Sequence, residues 1–142
     1  MFITPLVDGQ QGHEVITLQW MWDKQAAIAM TQAWGTKGIA YFTLFTLIDY
    51  LYAVSYTLLF YCFITYIYKQ KGINPNTYML RLPLMMGALD GIENTLELGF
   101  VYHPHTFPDW LFITHTAVAI GKWMLLPPIL ILLIQKFMLR ST

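Results

Sequence analysis

A chain of 142 residues that is 56% hydrophobic, 16% aromatic and only 11% charged is one domain long and far poorer in charge than the roughly 25% of ordinary globular proteins. Eight basic and eight acidic residues give a formal net charge of zero, which excludes a basic surface for nucleic acid and an acidic tail. A mean hydropathy of +0.48 points to the membrane class, and the lone Cys62 excludes a disulfide framework within the chain.

The opening "MFITPLVDGQQGHEV" lacks the basic and apolar regions of a signal peptide, so later segments must drive insertion. Residues 14–34, "EVITLQWMWDKQAAIAMTQAW", follow. Helical spacing of Val15, Leu18, Trp22, Ala26, Ala29 and Ala33 gives this segment one apolar face, but Asp23 and Lys24 sit in its middle. The pattern predicts an amphipathic helix on the outer membrane surface, anchored by Trp20, Trp22 and Trp34 and stopped at Gly35. A poorly apolar first span is the rival reading and would place the N-terminus inside.

Three runs then reach the roughly 20 apolar residues that a bilayer requires. The first covers residues 38–68, the second 78–102 and the third 110–139; the third contains Pro127 and Pro128, expected to kink or break it. The linkers "KQKGINPNT" and "HPHTFPD" are short and punctuated by Gly and Pro, and leave no room for a soluble domain. His103 and His105 flank a proline in the second linker and read as solvated loop residues. Lys69, Lys71 and Arg81 flank the first linker, Lys136 and Arg140 end the chain, and the second linker has neither Lys nor Arg. The positive-inside rule then puts the first linker and the C-terminus in the cytoplasm, with the N-terminus outside. The expected architecture is all-α: an integral membrane bundle of three transmembrane helices plus an N-terminal interfacial helix, in one domain.

Four acids fall within these runs, Asp49, Asp90, Glu93 and Glu97, and Lys122 joins them. Asp90, Glu93, Asn94 and Glu97 recur at intervals that form one helical stripe; His115, Ala119 and Lys122 form another, and Thr46, Asp49, Ala53 and Tyr56 a third. Counted from the outer ends, Asp49, Asp90 and Lys122 all lie about a dozen residues deep, near the midplane at about 1.5 Å per residue. Glu97 and His115 form a shallower layer. A charged side chain at the bilayer centre costs about 2.5–3.5 kcal/mol on insertion scales, so these residues must face an interior. Four carboxylates and one ammonium still leave three negative charges to be met by protonation, a cation, water or a partner's base.

The sequence signal for a metal is weak. Glu93, Glu97 and His115 can supply carboxylate and imidazole ligands, but no ExxH, HExxH or histidine-box pattern appears. The expectation is therefore no metal. No motif identifies a cofactor, and no nucleophile stands beside an evident base. The tyrosines of the first run, Tyr50, Tyr52 and Tyr56, exceed what interface anchoring needs; ordinary packing is the expected role, and hydrogen bonding to the carboxylates is the alternative.

Trp34-Gly35-x-x-Gly38 with Tyr41, Asp49-Tyr50 with Tyr56, Asp90-x-x-Glu93-Asn94, and Lys122-Trp123 together resemble a loose family of small bacterial integral membrane proteins. The match covers roughly residues 18–125. The resemblance implies a location in the bacterial cytoplasmic membrane and carries no established activity. Members carry a further apolar span before the surface helix, so a shortened start is implied here. The residues themselves point to proton- or cation-coupled transport. The alternatives are an accessory subunit of a larger membrane complex and an intramembrane enzyme acting on lipids or isoprenoids through a carboxylate acid or base. The implied partners are the lipid bilayer and either further copies of the chain or a larger membrane complex.

Overall fold

The computed structural model describes residues 14–103 and 106–138. Among these, every regular element is an α-helix: α1 (Glu14–Gln19), α2 (Lys24–Gln70), α3 (Thr77–Tyr102) and α4 (Asp109–Met138). The N-terminus expected outside, His105 and Arg140 lie outside the described residues. Helix α3 is central, packed extensively against α2 and α4, which touch each other less; α1 rests on α4.

The segment 14–34 is not one helix. Asp23, the residue that looked misplaced mid-segment, is the N-cap of α2: its side chain accepts from the backbone N–H groups of Gln25 (2.8 Å) and Ala26 (3.3 Å). A capping carboxylate satisfies amides that have no partner within the helix, so the helix restarts there. Nor does the segment lie across the end of the bundle. Trp123 Nε1 donates to Gln19 Oε1 at 3.2 Å, Thr116 Oγ1 to Met21 O at 2.7 Å, and Lys24 Nζ to Phe107 O at 2.9 Å. Residues 19–24 therefore run along α4 against its direction. The expected apolar face is also displaced by one position: Ala26, Ala29 and Ala33 are exposed, whereas Ala27, Thr31, Trp34 and Gly38 are buried. Trp34 is no surface anchor; it stacks on Phe42 within an aromatic core.

Gly35 bends α2 rather than ending it. Its φ of 58° and ψ of −170° are non-helical, a conformation open to glycine because it has no Cβ. The helix resumes at once and runs to Gln70. It closes there in a Schellman turn, with Gly72 N–H donating to Lys69 O at 2.9 Å and Ile73 N–H to Tyr68 O at 3.1 Å. Asn76 caps α3 through Tyr78 N–H. Helix α4 continues through Pro127 and Pro128 instead of breaking.

Two of the helices, α2 and α4, are long and apolar enough to cross a membrane. In each, only 17% of the most apolar window is buried, unlike a core helix of a soluble protein. Leu47, Leu51, Leu58 and Leu59 on α2, Leu84, Met85 and Ile92 on α3, and Met124 and Ile131 on α4 all point outward. Cys62 is exposed too, on the outer side of α2. Inside, two apolar clusters bracket the acids. One joins Leu18, Trp34, Phe42, Phe100, Phe107 and Phe112 near the α3–α4 loop; the other joins Ala53, Tyr56, Ile64, Tyr68, Met86 and Ile129 toward the α2–α3 turn.

Candidate functional site

Between those clusters lies a polar layer on the inner face of α3. The 3- and 4-residue spacings set Asp90, Glu93, Asn94 and Glu97 on one face, and all four are buried. Because α3 is central, that face meets Tyr56 and Asp49 of α2 and Lys122 and His115 of α4.

Lys122 organises the half toward the α2–α3 turn. Its Nζ donates to Asp90 Oδ1 at 2.7 Å and lies 2.6 Å from Glu93 Oε2. The second contact is an ion pair without hydrogen-bond geometry, and Glu93 Oε1 has no hydrogen-bond partner. Tyr56 OH donates to Asp90 Oδ2 at 2.8 Å, so each oxygen of Asp90 accepts one hydrogen bond. Charge-assisted hydrogen bonds of this length are the strong ones.

The half toward the α3–α4 loop is built differently. His115 Nε2 lies 3.3 Å from Glu97 Oε1, and its Nδ1 has no partner although the residue is fully buried. The imidazole is held by aromatic packing, edge-on to Phe100 at 4.9 Å and stacked with Phe112 at 6.5 Å. One ligand atom from each of Glu93, Glu97 and His115 falls within 4.8 Å of the other two. Asp49 is only half-buried, and its hydrogen bond is to Asn94 Nδ2, at 2.9 Å.

The stripes on α3 and α4 thus meet as the spacing suggests, with Asp90 and Glu93 against Lys122 and Glu97 against His115. Asp49 attaches at the edge through Asn94. Tyr56 follows the alternative to packing and hydrogen-bonds a carboxylate of the site. Its signal was present in the sequence: it lies seven residues after Asp49, on the same helical face. Tyr50, by contrast, pairs its OH with Thr95 Oγ1 at 2.7 Å outside the buried cluster. His103 is exposed and takes no part in it.

A groove of about 200 Å³ opens between α2 and α3, lined by Tyr50, Ala53, Val54, Thr57, Leu58, Gly87 and Gly91. The helices are close here: a Cβ on Gly87 would collide with Thr57 Oγ1. None of the buried acids lines it, so it offers no path from outside to Glu93 of the kind an enzyme acting on lipids would need.

Comparison with protein-family models, curated proteins and solved structures finds no match to this chain. The reading of the site therefore rests on its own chemistry.

Proposed function

We propose that the chain is an integral membrane protein of three spans, formed by α2 beyond Gly35, α3 and α4, and that its inward carboxylate–lysine cluster serves proton- or cation-coupled transport. Helix α3 qualifies as a span through its position. It has 26 residues, about 39 Å at 1.5 Å per residue, and it turns its acids inward while Leu84, Met85 and Ile92 face out. Lys69, Lys71 and Arg81 gather at the α2–α3 turn. The positive-inside rule then puts that turn and the C-terminal end of α4 in the cytoplasm.

The observation that carries the reading is the charge imbalance. Asp90, Glu93 and Glu97 are buried with Lys122, the one buried cation among the described residues, and Asp49 stands at their edge. A structural ion pair needs one acid for one base. Extra carboxylates in a membrane interior cost free energy and mark proton relays and ion paths.

The test is reconstitution of the full chain into proteoliposomes carrying a trapped pH-sensitive dye, with a pH or cation gradient imposed. We expect flux in the wild type and its loss in the Asp90→Asn/Glu93→Gln double variant. Absence of wild-type flux, or flux that survives the double substitution, overturns the proposal.

A further inference from the structure

We infer that Glu93, Glu97 and His115 form a binding site for a divalent transition-metal ion, buried between α3 and α4. This rests on reading the cluster as a cation site, but on binding rather than on translocation.

Three observations converge on it. First, the donor atoms already converge: one carboxylate oxygen from each glutamate and one ring nitrogen lie within 4.8 Å of one another. An ion with bonds of about 2.0–2.2 Å can bridge donors so spaced after small side-chain rotations. Second, two polar atoms of these residues are not otherwise used. Glu93 and His115 are both 0% exposed, yet Glu93 Oε1 and His115 Nδ1 have no hydrogen-bond partner. Buried polar groups are nearly always paired with protein, water or an ion, and here the unpartnered atoms belong to metal-ligand residue types.

Third, the charges balance. Lys122 matches Asp90, to which it donates at 2.7 Å. A doubly charged cation matches Glu93 and Glu97, leaving only half-buried Asp49, whose hydrogen bond comes from Asn94. The Lys122 contact to Glu93 Oε2 does not compete with the metal. It leaves Oε1 without a hydrogen-bond partner and is a contact of the outer-sphere kind that orients a ligating carboxylate. Phe100 and Phe112 fix the imidazole plane.

The donor set also selects the ion. Calcium takes six to eight oxygen donors and magnesium near-octahedral oxygen, whereas imidazole with carboxylates suits zinc, cobalt, manganese and iron. Three protein ligands leave a coordination position open, as in sites where the ion exchanges or accepts a further ligand. The expectation of no metal rested on the lack of a one-helix motif. Here the ligands come from two helices, a pattern that a linear motif does not encode.

The full chain, purified in detergent and stripped with a chelator, is titrated with Co²⁺ as a spectroscopic substitute for Zn²⁺. We expect one Co²⁺ per chain with visible d–d absorption, and an affinity loss greater than about 100-fold in Glu97→Gln and His115→Ala, since even outer-shell changes cost 10–100-fold. His103→Ala, which alters an exposed histidine, leaves binding unchanged. Should the ligand variants not fold, X-ray absorption of the Co²⁺-loaded wild type decides: imidazole scattering with oxygen neighbours supports the site, and an all-oxygen shell overturns it. Failure of the wild type to take up Co²⁺ also overturns it. Stoichiometric binding without liposome flux would sink the transport reading alone, and flux without binding would sink this one alone.

Discussion

Asp90 and Glu97 lie seven residues apart on the same face of α3 and are equally buried, yet their charges are met differently. Asp90 accepts from Lys122 Nζ at 2.7 Å and from Tyr56 OH at 2.8 Å. Glu97 has one long contact of 3.3 Å, to an imidazole whose other nitrogen is unpartnered. Burial alone therefore does not identify the role of an acid in this bundle. A carboxylate whose two oxygens are each engaged by a protein donor is placed to hold helices in register. One that is under-engaged beside similar donors is suited to receive something from outside the chain. Substitutions test that distinction through unfolding free energies of chelator-treated protein in detergent and, for Glu97, through the melting-temperature response to added Zn²⁺.

Lys122→Met should have the largest effect. It leaves Asp90 and Glu93 buried without their cation, and breaking a buried pair by removing one partner costs about 3–5 kcal/mol. Adding Asp90→Asn should recover part of the loss, because the uncompensated charge goes with it. A Lys122→Met protein as stable as wild type would show that the Lys122 half does not hold the bundle together.

Tyr56→Phe comes next. It removes only the hydroxyl that donates to Asp90 Oδ2, a hydrogen bond to a charged group worth about 1.5–3 kcal/mol. In the Lys122→Met/Asp90→Asn background the same substitution should cost less, because its acceptor is no longer ionised. Equal costs in the two backgrounds would return Tyr56 to the packing role that the sequence suggested.

That role shows where sequence reading reached and where it stopped. The helical stripe is a property of one chain segment, so the grouping of Asp90, Glu93, Asn94 and Glu97 on α3 could be read directly. Comparing depths across segments also paired Asp90 with Lys122 and Glu97 with His115, because neighbouring helices running in opposite directions keep equal levels side by side. What escaped depended on rotation about the helix axis and on backbone breaks. Asp23 looked like a charge within an amphipathic helix, and its capping role is visible only once the backbone N–H groups of Gln25 and Ala26 are placed. Trp34 looked like an interfacial anchor because Ala26, Ala29 and Ala33 share a helical face, but packing selected Ala27, Thr31 and Trp34 instead. Alanine-rich segments define their buried face weakly, so the phase of the helix was set by Phe42 and the α3–α4 aromatics.

Glu97→Gln should have the smallest effect and is the sharpest test of the comparison. In chelator-treated protein it replaces a carboxylate that has one long contact and stands near the like charge of Glu93. Losing a weak hydrogen bond and relieving that repulsion oppose each other, so the stability change should stay below about 1 kcal/mol. The same substitution should then abolish the rise in melting temperature expected on adding Zn²⁺ to the wild type, since a ligand stabilises the state that binds it. A loss comparable to that of Lys122→Met in the absence of metal would make Glu97 a structural acid like Asp90. The two halves of the layer would then be one network, and the contrast between them would fall. A small change without metal and a lost response with it would separate them: one half holds the helices, and the other receives an ion.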